Sequence, residues 1–216
     1  MARTVIGVRV ALREPTPGDE AECLSLNRRS RHHYRGRVAP PYTKKQYRTW
    51  LERASRPDHL LWLVVRRSDR AIVGSVELSQ IVRGRFRSAY LGYQIGAPFV
   101  RQGLMREALA LAVTDAFRRL RLHRLEANVQ PDNRASIGLV RALGFRREGY
   151  SPAYLKIGGR WRDHERWAVL APNWSRRQDR ATRAPRRSPL PDHCVQDQPL
   201  SERSTTPRAF GSVPSA

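Results

Sequence analysis

The sequence predicts one mixed α/β domain, with a central sheet of about seven strands flanked by four helices. Two observations predict it. Segments of four to eight alternating or continuous apolar residues, typical of strands, are interrupted by segments whose apolar residues recur at helical spacing. The resulting order is βααβββαβαββ, without an internal repeat. A length of 216 residues suits one domain, which usually has roughly 100–200 residues, with an appendage.

The first half of the chain is predicted to hold four strands and two helices. Thr43 is placed as the N-cap of the second helix, because its side chain can accept from a free amide of the first turn. The polar segment 31–41 is predicted as a loop, and Pro98 ends the run of strands. The strands cover residues 8–13, 60–67, 71–82 and 88–95, and the helices cover residues 20–30 and 43–53.

The second half is predicted to hold two helices and three strands. A helix of about five turns begins at Leu104, and a second helix is capped by Asn133 and stops at Gly144. The strands cover residues 124–130, 146–157 and 160–171, the last two forming a hairpin. Composition changes after Trp174, and residues 175–216 carry six prolines and no apolar periodicity. We therefore expect a domain over residues 1–174 and a disordered Pro/Arg/Ser-rich tail over 175–216.

Charge and composition limit the possible functions. The chain has 41 Lys and Arg against 19 Asp and Glu, a net charge of +22, which favours polyanionic partners such as RNA or nucleotide phosphates. Apolar runs such as 60–65 have at most six residues, far fewer than the roughly 20 residues that cross a bilayer. No signal peptide is visible, so a cytoplasmic protein with no membrane attachment is expected. Cys23 and Cys194 are too few for a disulfide framework or a cysteine-rich zinc site.

The join between the strand 88–95 and the helix at Leu104 is a candidate anion site. Gly103 at a helix start lets backbone N–H groups approach a ligand, and the helix dipole adds positive potential there. Arg101 and Arg106 would reinforce this potential. The segment is neither a P-loop nor a dinucleotide fingerprint, and by itself it also fits an ordinary tight turn.

Further motifs give the sequence a family resemblance. The strand with Asn128, the helix start Asn133-x-x-Ser136 and the helix end Leu143-Gly144-Phe145 together resemble the GNAT acetyltransferases. Residues 102–109 and 158–164 resemble the RimJ/RimL type, and residues 82–84 and 172–174 are closest to RimJ. The resemblance covers residues 8–174. The sequence departs from the superfamily in one place. Residues 100–105 correspond to the pattern Gln/Arg-x-x-Gly-x-Gly/Ala but match it only at the central Gly103, a looser form that RimJ-like enzymes share.

The resemblance implies acetyl transfer from acetyl-CoA, with no metal, to the N-terminal alanine amine of a ribosomal protein by direct attack in a ternary complex. It also implies a single GNAT-like domain and a ribosomal partner. The basic body adds an expected affinity for the ribosome or rRNA. Two alternatives stay open: a GNAT enzyme for a small amine such as an antibiotic or polyamine, and a basic RNA-binding ribosome-assembly factor.

The resemblance also implies site residues. Ser136 is the expected partner of the leaving thiolate, although it also suits the first turn of a helix. The resemblance leaves the base unresolved; from its place on the strand 71–82, Glu77 is a weaker candidate for a base acting through water, although it also fits a solvent-facing strand position. Substrate-binding candidates are Tyr34, Arg37 and Asn128. The expected cofactor-binding residues are Tyr93, Gln94, Ile95, Arg101, Gln102, Gly103, Leu104, Met105, Arg106 and Asn133.

Overall fold

The computed structural model describes residues 4–183, which form eight strands and six helices. The strands are β1 (Thr4–Ile6), β2 (Val10–Arg13), β3 (Leu60–Arg66), β4 (Ile72–Val82), β5 (Ser88–Ile95), β6 (Arg124–Val129), β7 (Arg146–Ile157) and β8 (Arg160–Leu170). The helices are α1 (Glu20–Arg29), α2 (Arg31–Tyr34), α3 (Lys44–Ala54), α4 (Leu104–Arg118), α5 (Arg134–Ala142) and α6 (Ala171–Arg183). The predicted α/β class is confirmed, with one more strand and two more helices than expected.

One sheet contains all eight strands, in the order β1-β2-β3-β4-β5-β6-β8-β7. Every neighbouring pair is antiparallel except β5 and β6, which are parallel. The parallel pair requires a crossover between its strands, and α4 supplies it.

Helices cover both faces of this sheet, as the alternation along β3 shows. Leu61 and Leu63 lie in a hydrophobic cluster with side chains of α1 and α3. Trp62 and Val64 point the other way, into the main core with α4 and α5. α4 presents the fully buried alanines Ala108, Ala112 and Ala116 to that core, so its backbone can lie close to the sheet.

Two short elements at the N-terminal end correct the sequence-based assignment. The predicted strand 8–13 is shorter, because Gly7 N donates to Val10 O at 2.9 Å and reverses the chain. The preceding residues then pair with β2 as β1. α2 lies within the predicted loop 31–41 and begins where Tyr34 N donates to Ser30 O at 3.0 Å.

The tail prediction is wrong for residues 175–183, which continue α6. Pro172 lies in the first turn of this helix, where no intrahelical N–H is needed. Trp174 anchors the helix: it is 4% exposed, and its indole N–H donates to Thr114 Oγ1 at 3.1 Å. Residues 184–216, including Cys194, lie outside the described residues, so the tail prediction there stays a prediction.

Two negative findings apply to residues 4–183. No helix among them is both long and apolar enough to cross a membrane. No group of three or more His, Cys, Asp or Glu side chains among them is placed to hold a metal ion.

Cys23 is a free, buried thiol. Burial raises its pKa to about 12, so it is protonated at neutral pH.

Candidate active site

The centre of the sheet contains a fork between β5 and β6. The two strands pair only from Ser88 with Arg124 to Tyr90 with Glu126. Beyond these positions β5 continues to Ile95 beside β4, while β6 continues to Val129 beside β8. The facing edges of the two strands are therefore free of strand pairing, and an extended ligand could pair with them as an added strand.

A cavity of about 470 Å³ opens at the wide end of this fork. Most of the predicted site residues line it, although they come from four separate parts of the chain. Asn128 and Glu77 do not line it, and Gln102 and Leu104 line a neighbouring recess. The predicted residues that do line the cavity are Tyr34, Arg37, Tyr93, Gln94, Ile95, Arg101, Gly103, Met105, Arg106, Asn133 and Ser136.

The loop before α4 forms one wall and has the backbone of an anion site. Arg101 and Gly103 both adopt left-handed conformations, with φ of 61° and 73°, which turns successive amides into a concave arrangement. The first N–H groups of α4 have no acceptor within the helix. The positive end of the helix dipole therefore faces the cavity beside the Arg101 and Arg106 side chains.

Arg9, which the sequence analysis did not select, supports this loop from behind. Its guanidinium donates to Gln102 O at 2.9 Å and to Glu107 at 3.1 Å. A Cβ on Gly103 would lie 3.1 Å from Arg9 Nη2. Burial opposes ionisation of Glu107, but hydrogen bonds from the amides of Arg9 and Val10 hold the pKa of its carboxyl below the usual value. The ionised Glu107 carboxylate thus ties α4 to the start of β2, and the Arg9 guanidinium holds the loop before α4.

A pair of hydroxyl groups, from Tyr93 and Ser136, lies among the residues that line the cavity. Asn133 caps α5 as predicted, because its Oδ1 accepts from Ser136 N at 3.2 Å. This places Ser136 in the first turn, where its Oγ lies 2.5 Å from the hydroxyl of Tyr93. Burial raises the pKa of Tyr93 to about 12, so this hydroxyl is protonated at neutral pH. The Tyr93 side chain is thus a polar group of the site, besides the free backbone edge of β5 at this position.

The segment carrying Tyr34 and Arg37 covers the cavity from the side of α1. It is joined to the end of β6, the second strand of the fork, because Gln130 Nε2 donates to Gly36 O at 2.8 Å. Burial raises the pKa of Tyr34 to about 12, so it also remains neutral. Only the tertiary structure reveals the contact with Gln130, since the two residues are far apart in sequence.

Glu77 and Asn128 lie near the fork, outside the cavity lining. Glu77 is opposite Gly92 on β5, and its Oε1 is 3.3 Å from His59 Nε2. His59 Nδ1 is in turn 3.3 Å from Asp58 Oδ1, which makes a chain of three titratable groups. Asn128 lies on the divergent part of β6, and its Oδ1 is buried with no hydrogen-bond partner in the described part of the chain.

Comparison with known proteins adds a family. Residues 9–146 match the profile described as Acetyltransferase (GNAT) domain. The [Ribosomal protein uS5]-alanine N-acetyltransferase of Escherichia coli K12 is 43% identical over 107 residues, which are 50% of this chain and 55% of that protein. Probable N-acetyltransferase YjcK of Bacillus subtilis is 35% identical over 130 residues, 60% of this chain and 72% of that protein. The chain thus matches little more than half the length of the first relative.

A solved structure extends the similarity to the fold. The structure of Mycobacterium smegmatis RimJ in complex with CoA-disulfide superposes with a TM-score of 0.72 at 27% identity. The superposition covers 84% of this chain and 93% of that one. That relative was solved with CoA-disulfide bound.

Proposed function

The chain belongs to the GNAT acetyltransferase family, and from this premise we propose that it transfers acetyl from acetyl-CoA to the N-terminal alanine amine of a ribosomal protein. The observation that carries the proposal is the fork with its cavity at the start of α4, in a chain 43% identical over 107 residues to a uS5-alanine N-acetyltransferase. The proposed location is the cytoplasm, where ribosomal proteins are made. Binding of rRNA by the basic body stays a prediction beside it.

Acetyl-CoA fits the cavity in shape and charge. Its pantetheine arm carries amides that would pair with the free edge of β5 at Tyr93, Gln94 and Ile95. Its diphosphate would accept from the amides of residues 101–106, at the positive end of α4. The Asn133 side chain, which also lines the cavity, would hold the pantetheine near the hydroxyl pair.

The hydroxyl pair suits the leaving sulfur. When the amine nitrogen attacks the thioester carbon, the C–S bond breaks and charge develops on sulfur. Ser136 would donate its hydroxyl hydrogen bond to this sulfur, and Tyr93, protonated because its pKa is about 12, would donate to Ser136 Oγ. The two groups then stabilise charge that is present only late in the reaction, which raises turnover more than affinity.

The acceptor amine must be neutral when it attacks. An N-terminal amine has a reference pKa near 8, so about a tenth is neutral at pH 7 and a modest base suffices. We place Glu77 in that role, acting through a water at the open face beside Gly92, with His59 holding its carboxylate. The buried Asn128 Oδ1 supports an acceptor at this face, because an incoming N–H would satisfy it. Tyr34 and Arg37 would contact the peptide that follows the amine.

Mass spectrometry after incubation with acetyl-CoA and a matched acceptor panel tests this function. The panel holds ribosomal N-terminal peptides beginning with Ala, the same peptides beginning with Pro or Asp, and small amines including spermidine and an aminoglycoside. We expect one added acetyl group at the N-terminus of the Ala peptides. Transfer confined to the small amines would replace the peptide assignment with the small-amine alternative.

A further inference from the structure

A cluster of unpaired arginines lies at the opposite end of the domain from the cavity. The turn between β4 and β5 carries three exposed arginines, and the end of α4 with the segment after it carries two more. The two parts touch, since His123 N and Arg124 N donate to Arg87 O at 2.6 and 3.2 Å. We call this cluster the basic pole: Arg83, Arg85, Arg87, Arg118 and Arg121.

The nearby carboxylates are already occupied by other arginines. Asp115 binds Arg119 at 2.6 Å, and Glu126 and Glu148 both bind Arg124, at 2.8 and 2.6 Å. None of the five arginines of the basic pole forms an ion pair with the part of the chain that the structure describes. The negative end of the α4 dipole accounts for cations beside it, such as Arg118. It does not account for three arginines on a β-turn.

An exposed aromatic ring lies among these charges. Phe86, between Arg85 and Arg87, is 62% exposed, and burial in the core therefore does not explain it. A flat ring flanked by guanidinium groups combines the two contacts that single-stranded nucleic acids offer. Phosphates bind arginine through paired hydrogen bonds, and unstacked bases stack on aromatic faces.

We propose that the basic pole binds single-stranded nucleic acid, with the three turn arginines on successive phosphates and Phe86 stacked on a base. α4 separates this surface from the cavity: its 15 residues span about 22 Å at 1.5 Å per residue. The surface can therefore be occupied while the cavity holds its own ligands. The proposal is independent of the proposed acetyl transfer.

Fluorescence anisotropy with the full chain tests the proposal, using a labelled 12-nucleotide RNA and the DNA of the same sequence over a salt series. The test variant is the triple substitution Arg83→Gln, Arg85→Gln and Arg87→Gln. The control is Lys45→Gln, Arg48→Gln and Arg53→Gln on α3, which are also exposed and remove the same charge. We expect the test variant to lose at least tenfold in affinity and about two from the salt slope, while the control changes little.

Phe86→Ala separates stacking from charge, and it should weaken binding about tenfold with the salt slope unchanged. A 2′-hydroxyl preference would show as tighter binding of RNA than of DNA, and equal binding would assign the site to single strands in general.

Equal losses in the two triple variants, or an unaffected Phe86→Ala variant, would overturn the proposal. So would binding to phosphatidylserine vesicles that depends on the turn while RNA binding does not. Circular dichroism of each variant checks folding, and peptide acetylation, unchanged in all, reports separately on the cavity.

Discussion

Tyr93→Phe is the sharpest test of the hydroxyl pair, because it removes one oxygen and keeps the buried ring. The Tyr93 hydroxyl lies 2.5 Å from Ser136 Oγ, so the substitution removes the group proposed to orient Ser136 toward the sulfur. The Tyr93–Ser136 bond joins two neutral hydroxyls, and such a hydrogen bond contributes roughly 0.5–1.5 kcal/mol. This corresponds to a loss of about 2- to 13-fold in kcat.

The same reasoning predicts which constant changes. Charge on the sulfur develops only as the C–S bond breaks, so KM for acetyl-CoA should stay within about twofold of the parent value. Ser136→Ala should lower kcat further, because it removes the group that contacts the sulfur. Tyr93→Phe in the Ser136→Ala background should then have almost no additional effect, since the two hydroxyls act in series.

The assay is release of free CoA thiol at saturating peptide, measured for both single variants, the double variant and a matched control. Tyr90→Phe is that control: it lies on the same strand, and its hydroxyl is 3.4 Å from the Tyr154 hydroxyl, outside the cavity lining. Its kcat should equal that of the parent. Additive losses in the Tyr93–Ser136 cycle, or an unchanged kcat in Tyr93→Phe, would refute the serial arrangement.

Three other substitutions test the base, the anion loop and the boundary of the domain. Glu77→Gln should lower kcat roughly tenfold or more with KM for acetyl-CoA unchanged, and His59→Gln should lower kcat less. If the variants keep the parent's kcat at every pH between 6 and 9, Glu77 has a structural role only. Gly103→Ala combines a left-handed φ of 73° with a Cβ 3.1 Å from Arg9 Nη2, a strain of about 1–2 kcal/mol. This strain should distort the loop and raise KM for acetyl-CoA, measured from initial rates over an acetyl-CoA series. An unaltered KM would mean that the loop does not bind the diphosphate. Trp174→Ala should lower the free energy of unfolding by about 3–5 kcal/mol in urea, and a loss below 1 kcal/mol would mean that α6 is dispensable for the domain.

The elements around the fork were predictable because local signals mark their ends. β5 begins and ends where the sequence predicts, and α5 begins after the Asn133 cap. α4 is shorter than predicted, at 15 residues or about four turns, because Arg119 and the residues after it leave the helix. β1 has only three residues, and α6 is rich in arginine. Tertiary contacts of β2 and Trp174 stabilise these two elements, and such contacts leave no periodic signal.

The positions of individual site residues were predictable only as members of segments. The sequence places Tyr93 on a strand and Ser136 at a helix start, but their contact depends on how far β5 and β6 diverge before α5 begins. The same holds for Arg9 and Gln130, whose partners Gln102 and Gly36 are distant in the chain. A single sequence carries periodicity and caps, which are local. It does not carry the register between strands, which sets these distances.

The structure also gives a physical account of the loop that departs from the superfamily pattern. A glycine or alanine would be expected at position 105, and Met105 is instead 5% exposed and packed in the main core. The Met105 side chain therefore fills core volume beneath the start of α4, and this position does not need a small residue. A charged or amide side chain would be expected at position 100, where Val100 lines the cavity, and the adjacent Arg101 carries the positive charge in a left-handed conformation. Position 103 favours glycine, because a side chain there would be strained at a φ of 73° and would approach the guanidinium of Arg9 to 3.1 Å, and this is the one position of the pattern that the sequence keeps.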